Sequence, residues 1–208
     1  MEQPLAGVRV LSFGQYYAGP LVAMHLAEQG ARVTQIDPPS GPRLATAATA
    51  AMRARVARVL ALDLATARGR AEARALALAS DVLVENFGPG VMSRLGLEPC
   101  ALRRARPALV CVSLPGFARR DSGGRARGGG KGGGGLGGGA KAWEGVVLAS
   151  CGVFRDMGPN RQLRGVAASY TPLPLASAYA SVLAVPHGGG GALMPAASEA
   201  EAWQFMPV

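Results

Sequence analysis

The feature that most constrains this chain lies in its first forty residues. Val8–Phe13 is a short, mostly apolar run that stops at Gly14. Residues 17–29 then carry Leu21, Met24, His25 and Leu26 at helical spacing, and Gly30 stands where a helix commonly ends. Arg32–Ile36 is a second extended run, closed by Asp37-Pro38-Pro39. Strand, helix, strand in that order requires a crossover connection, so the two strands are predicted to run parallel. A parallel sheet needs cover on both faces, which points to a layered α/β domain and away from an open hairpin fold.

The same alternation continues. Residues 43–58 are alanine-rich and predicted helical, and Leu60–Leu64 is a short extended stretch. Thr66 is placed to cap a helix running to Ser80. Asp81–Glu85 and Ala108–Leu114 are predicted strands, with short helices over Pro89–Arg94 and Glu98–Arg104 between them. The pattern predicts a Rossmann-like, doubly wound, mostly parallel sheet over residues 4–118. It breaks in 119–141, where 122–139 are nearly all glycine with scattered Arg and Lys. Such a composition buries too little to offset its ordering entropy, so a flexible linker or insertion is expected there. Residues 142–187 are expected to resume order with a helix-like stretch at 175–185, leaving 188–208 as a glycine-bearing, weakly patterned tail.

Composition narrows the function classes. Net charge is +9, from 22 basic residues against 13 acidic. Only Lys131 and Lys141 are lysines. An anionic, phosphate-bearing ligand suits that balance, and so does a GC-rich codon bias toward Arg, Ala, Gly and Pro. Cys100, Cys111 and Cys151 are far apart, with no spacing for a disulfide framework or a zinc site. No metal is expected, and a reducing, cytoplasmic compartment fits best. The Met1-Glu2-Gln3-Pro4 start lacks the charged-then-apolar pattern of a signal peptide. Residues 166–185 are uncharged but contain Pro172 and Pro174, so a buried segment is expected there and no membrane helix. Arg119-Arg120 and Arg127-Gly128-Gly129 resemble RGG-type RNA-binding segments, yet no aromatic interleaves Phe117 and Trp143 for base stacking, which argues against nucleic acid.

Two turns are candidate ligand sites. Gly14-Gln15-Tyr16-Tyr17-Ala18-Gly19-Pro20 leads from a strand into a helix N-terminus, where backbone N–H groups and the dipole favour a phosphate. The spacing is not G-x-G-x-x-G, so the dinucleotide fingerprint fails, although Asp37 ends the second strand where such folds meet ribose. Asn86-Phe87-Gly88-Pro89-Gly90 follows another strand, with Arg94 one turn onward as a candidate phosphate partner. An ordinary tight turn and a solvated arginine explain these segments equally well on local grounds. His25 lies within an amphipathic helix and is read as structural, and His187 has no Cys or carboxylate spaced to share a metal. No G-x-S-x-G turn occurs.

Taken in order, several segments resemble the family III CoA-transferases, which include formyl-CoA and carnitine-CoA transferases and the α-methylacyl-CoA racemases. They are Leu5-Ala6-Gly7-Val8-Arg9-Val10-Leu11, Ala18-Gly19-Pro20, Leu60-Ala61-Leu62-Asp63-Leu64 and Ser113-Leu114-Pro115-Gly116-Phe117. The most specific is Asp81-Val82-Leu83-Val84-Glu85-Asn86-Phe87-Gly88-Pro89-Gly90, continuing to Arg94-Leu95-Gly96. The resemblance implies a domain that holds coenzyme A, lined by Tyr16, Tyr17, Ala18, Asn86 and Arg94. It implies transfer of CoA between an acyl-CoA and a small carboxylic acid through an aspartyl intermediate, by interlocked homodimers. Two departures stand out. Pro38 occupies the place of the basic residue that often follows the second strand, and the family's aspartate falls at Ser177 or Ala178, neither of them a carboxylate. The histidine of a racemase-like His-Asp pair is also absent, because its place falls near Trp143-Glu144. The chain is therefore expected to be incomplete or inactive alone. A non-catalytic CoA- or nucleotide-binding module is the alternative, followed by an NAD-binding oxidoreductase.

Overall fold

The computed structural model describes residues 3–88, 90–114 and 178. The expectations for 119–141, 142–187 and 188–208 lie outside the described residues, apart from Ala178. Five strands form one sheet in the order β3-β2-β1-β4-β5, every neighbouring pair parallel. They are β1 (Arg9–Ser12), β2 (Arg32–Asp37), β3 (Arg58–Ala61), β4 (Val82–Glu85) and β5 (Val110–Ser113). The connecting helices are α1 (Ala18–Glu28), α2 (Ala47–Arg53), α3 (Ala67–Ala79), α4 (Val91–Arg94) and α5 (Pro99–Ala105).

Side chains alternate across the pleat and so build two apolar layers. Val10, Val33, Val82, Val84 and Val112 point to the face that α1 covers with Val22 and Leu26. Leu11, Phe13, Ile36, Leu83 and Cys111 point to the opposite face, against Ala73 and Ala77 of α3 and Leu102 of α5. The mostly aliphatic core is thus split by the sheet, as double winding requires. Small residues on the inner side of α3 let that helix approach closely.

Three boundaries differ from the sequence expectation, each for a local reason. The third strand begins at Arg58 and ends at Ala61, where Asp37 of β2 is its last partner. Pro38 follows Asp37 and has no N–H with which to continue the ladder. Leu62 adds one bond to the Asp37 carbonyl (2.9 Å), and Asp63 then folds the chain by accepting from the Ala65 N–H at 3.0 Å. Helix α2 is shorter than 43–58 because Thr46 and Thr49 form a reciprocal capping box that fixes its start, and Arg58 is taken into β3. Helix α4 begins only at Val91, because Gly90 at its N-cap sits at φ 74°, a left-handed conformation that glycine adopts without a Cβ penalty. Thr66 caps α3 as expected, accepting from the Gly69 N–H at 3.0 Å. Among the described residues no helix is long and apolar enough to cross a membrane.

Candidate functional site at the carboxyl ends of β1 and β4

The chain runs β1 to β2 to β3 toward one edge, then crosses over to add β4 on the far side of β1. The loops after β1 and β4 therefore leave the sheet at a topological switch point, the usual place of a ligand crevice in an open α/β sheet. Both candidate turns meet there. The Gln15 N–H donates to Asn86 Oδ1 and the Asn86 amide donates back to the Gln15 carbonyl, each at 2.8 Å. One side chain thereby replaces a rung of backbone pairing and clamps the β1–α1 turn to the end of β4. Asn86 was expected to line the ligand site; both of its amide functions are spent on bracing this turn.

The turn itself is tight. A Cβ on Gly14 would lie 2.5 Å from the Gly19 carbonyl carbon, and one on Gly19 would lie 2.2 Å from Gly14 Cα. Two backbones thus touch where any side chain would separate them. The closure forces Tyr16 to φ 60°, an uncommon conformation for an aromatic residue, and leaves the side chain 38% exposed. Strain held by surrounding contacts is a mark of a functional turn. Behind it, Tyr17 caps α1 without a side-chain hydrogen bond, so the first-turn N–H groups of Ala18 and Gly19 precede any intrahelical acceptor.

Gln35 supports the turn from below. It is 2% exposed, and its amide donates to the Gly14 carbonyl at 2.8 Å and to the Ile36 carbonyl at 3.1 Å. Gln35 gave no signal in the sequence, being one of four polar residues in β2 with Arg32, Thr34 and Asp37. Its amide also lies 3.4 Å from Asp37 Oδ1, and Gln15 reaches the Ile36 carbonyl at 3.4 Å.

Asp37 is buried and forms an ion pair with Arg53 at the end of α2, their side chains being 6% and 17% exposed. Burial lowers the Arg53 pKa from its ordinary value. Arg53 Nη2 is buried and stands against Asp37 Oδ2.

At the β4 end, Glu85 is buried and doubly engaged. It accepts from the Phe87 N–H at 2.8 Å through Oε2 and from the Ser113 hydroxyl through Oε1. Phe87 also packs on Phe13 with ring centroids 6.3 Å apart at 42°, which fixes the loop to the core. Arg94 is not part of the Gln15–Asn86 clamp. It is exposed on α4, and Nη1 lies 3.3 Å from where a Cβ of Gly90 would stand, so the guanidinium folds back over that glycine. His25 faces Glu28 at 3.7 Å on the solvent side of α1, consistent with a structural role. Burial pushes the Cys111 thiol up to about 11, so it stays protonated and unreactive near neutral pH. Of the two positions matched to an aspartate, Ala178 is helical and half-buried, and Ser177 lies outside the described residues. No group of His, Cys, Asp and Glu suited to a metal occurs among the described residues.

Comparison with known proteins identifies the family. The sequence profile of CoA-transferase family III matches residues 5–197. The chain is 46% identical over 183 residues to the CoA-transferase/lyase DddD of Marinomonas sp. (strain MWYL1), covering 88% of this chain and 20% of that relative. It is 36% identical over 138 residues to the succinyl-CoA–L-malate CoA-transferase alpha subunit of Chloroflexus aurantiacus, covering 59% of this chain and 32% of that subunit. A crystal structure of Rv3272 from M. tuberculosis superposes with a TM-score of 0.66 at 26% identity, over 88% of this chain and 48% of that one. The chain thus spans a fifth to a third of these curated relatives. With a profile match over nearly its whole length, the chain belongs to CoA-transferase family III.

Proposed function

We propose that the β1–β4 crevice binds coenzyme A, and that the chain serves acyl-CoA:carboxylate CoA transfer as the CoA-holding part. The observation that carries this reading is the Gln15–Asn86 clamp. It fixes a strained, glycine-lined turn at the head of α1, whose first-turn N–H groups precede any intrahelical acceptor, at a topological switch point. Those donors and the positive end of the helix suit the phosphates of CoA, with the exposed Tyr16 beside them and Arg94 as the cation on the opposite loop. The net charge of +9 favours the same polyanion.

The chemistry needs one further group. In transfer through an acyl-enzyme, a carboxylate oxygen attacks the thioester carbonyl, the C–S bond breaks, and the CoA thiolate leaves as a mixed anhydride forms. Residues 176–178 are Ala, Ser and Ala. A serine hydroxyl without a base is a poor substitute, so the carboxylate must come from elsewhere, in a second family domain or subunit. Glu85, the buried acid nearest the crevice, already accepts two hydrogen bonds and has no freedom to attack. Support for the transfer class comes from the relative whose name specifies succinyl-CoA and L-malate.

The NAD reading is weaker on a specific observation. An NAD site needs the acid at the end of β2 to accept from the ribose hydroxyl, and here Asp37 is buried against Arg53. The test of the CoA reading is calorimetric titration of CoA into wild type and Arg94→Ala. The variant is expected to bind CoA more weakly by about 1–3 kcal/mol, the worth of a charge-assisted phosphate contact. Unchanged affinity in a folded variant removes Arg94 from the site.

A further inference from the structure

One peptide group of the β1–α1 turn, between Gly14 and Gln15, is gripped from two strands at once. A trans peptide is planar, so its carbonyl and its N–H point in opposite directions. The Gln15 N–H donates to Asn86 Oδ1, just past β4, at 2.8 Å. The Gly14 carbonyl, at the other pole of the same plane, accepts from Gln35 Nε2 of β2, also at 2.8 Å. Gln35 is fully buried, and its neighbours fix which way its amide points. The Gly14 and Ile36 carbonyls can only accept, so the nitrogen must face them, with Asp37 Oδ1 a third acceptor at 3.4 Å. Rotating the Gly14–Gln15 plane meets little local resistance, because glycine tolerates both orientations. A rotated plane would turn the Gln15 N–H away from Asn86 and set a carbonyl against its Oδ1. The clamp therefore needs the plane held one way, and Tyr16 at φ 60° is the next residue along.

We propose that Gln35 is a positioning residue for the ligand turn. Its N–H donor keeps the Gly14–Gln15 peptide in the one orientation that Asn86 can clamp, and so sets how the head of α1 is presented to CoA. Buried beneath the turn, Gln35 acts through the backbone and not on the ligand. The assignment rests on the CoA reading for its ligand, while the orientation of the peptide can be measured with no ligand present.

Amide hydrogen exchange by NMR, with calorimetric titration of CoA, tests this on the whole chain. The Phe13 amide is the internal reference, since it donates to the Val84 carbonyl at 2.8 Å. In wild type the Gln15 amide is expected to exchange within roughly tenfold of that reference, as a pinned peptide should. Gln35→Met keeps the length of the side chain and removes the donor. It is expected to speed Gln15 exchange relative to Phe13, and to weaken CoA, each by on the order of tenfold, the scale of one buried hydrogen bond. Gln35→Lys returns N–H donors to the same three acceptors and is expected to recover both values. A role in packing alone predicts the reverse order, because methionine suits a buried site better than lysine. Exchange and affinity that stay at wild-type values in a folded Gln35→Met overturn the assignment, as does a loss that Gln35→Lys fails to recover. Wild-type Gln15 exchanging far faster than Phe13 also overturns it, and that measurement needs no variant to fold. Failure of wild type to bind CoA overturns the CoA reading instead, and the exchange rates still decide whether Gln35 holds the peptide.

Discussion

Asp81 joins three parts of the fold just before β4, at the end of the strands opposite the candidate site. Its carboxylate accepts from the Arg9 N–H at 2.9 Å and from Arg9 Nε at 3.1 Å, and it pairs with Arg106 behind α5. The Arg9 hydrogen bond holds the Asp81 carboxyl below its ordinary value of 3.8. A depressed carboxylate pKa stabilises the folded state above the unfolded pKa, and that contribution is lost as pH falls through the folded value. Asp81→Asn is therefore expected to destabilise by about 1 kcal/mol at pH 7, the modest size reflecting solvent screening of a part-exposed cluster. The difference should narrow below about pH 4, where the unfolded wild-type carboxyl takes up its proton. Urea titrations of both proteins across pH 2.5–7 (on the order of the carboxylate range) check this, and a gap that persists unchanged at the acid end contradicts it. At this scale the sequence was only partly legible. Arg94 and the Tyr16–Ala18 turn were visible as candidates because glycines and a cation follow strands. Arg53 and Gln35 were not, since nothing in a one-dimensional pattern brings the end of α2 to the end of β2.

Between elements, the decisive contact is the backbone-on-backbone closure of Gly14 and Gly19 at the head of α1. A methyl at residue 19 would stand 2.2 Å from Gly14 Cα and 3.0 Å from Asn86 Oδ1. The obstacle on one side is main chain, which has no rotamer by which to yield. Gly19→Ala is expected to cost about 1–3 kcal/mol in chemical denaturation, the range of overpacking in a tight site. It should also weaken CoA binding by displacing the turn. Stability within a few tenths of wild type would mean that the two loops have slack. The elements themselves were largely readable, because parallel strands are buried on both faces and announce themselves as apolar runs between helical periods. The third strand was read too late in the chain, since Leu62 and Leu64 continue an apolar alternation after Pro38 has removed the partner on β2. The start of α2 was misjudged because its alanines carry no directional signal, and the Thr46–Thr49 box sets the boundary instead.

For the whole molecule, the chain belongs to CoA-transferase family III, and residues 176–178 are Ala, Ser and Ala. The chain alone is expected to transfer no CoA from acyl-CoA to oxalate, carnitine or succinate. Incubation with acyl-CoA and hydroxylamine, followed by mass spectrometry, is expected to show no hydroxamate on any of its acids. A hydroxamate on Glu144, Asp156 or another acid would reveal a substitute nucleophile. The family was legible from the Asp81–Gly90 segment, since a long contiguous motif carries more information than any single turn. The clamp that organises the site became visible only when β1 and β4 were seen to be neighbours despite 70 or so intervening residues. That neighbourhood is also where the central claim is tested. Thermal unfolding should be followed in the presence of CoA and, separately, of NAD at matched concentrations. Saturation at about a hundred times Kd stabilises a folded state by about 2.7 kcal/mol, so CoA is expected to raise the Tm by several degrees, about 2–4 °C per kcal/mol at this size. NAD is expected to leave the Tm unchanged. A rise with NAD and none with CoA would contradict the account.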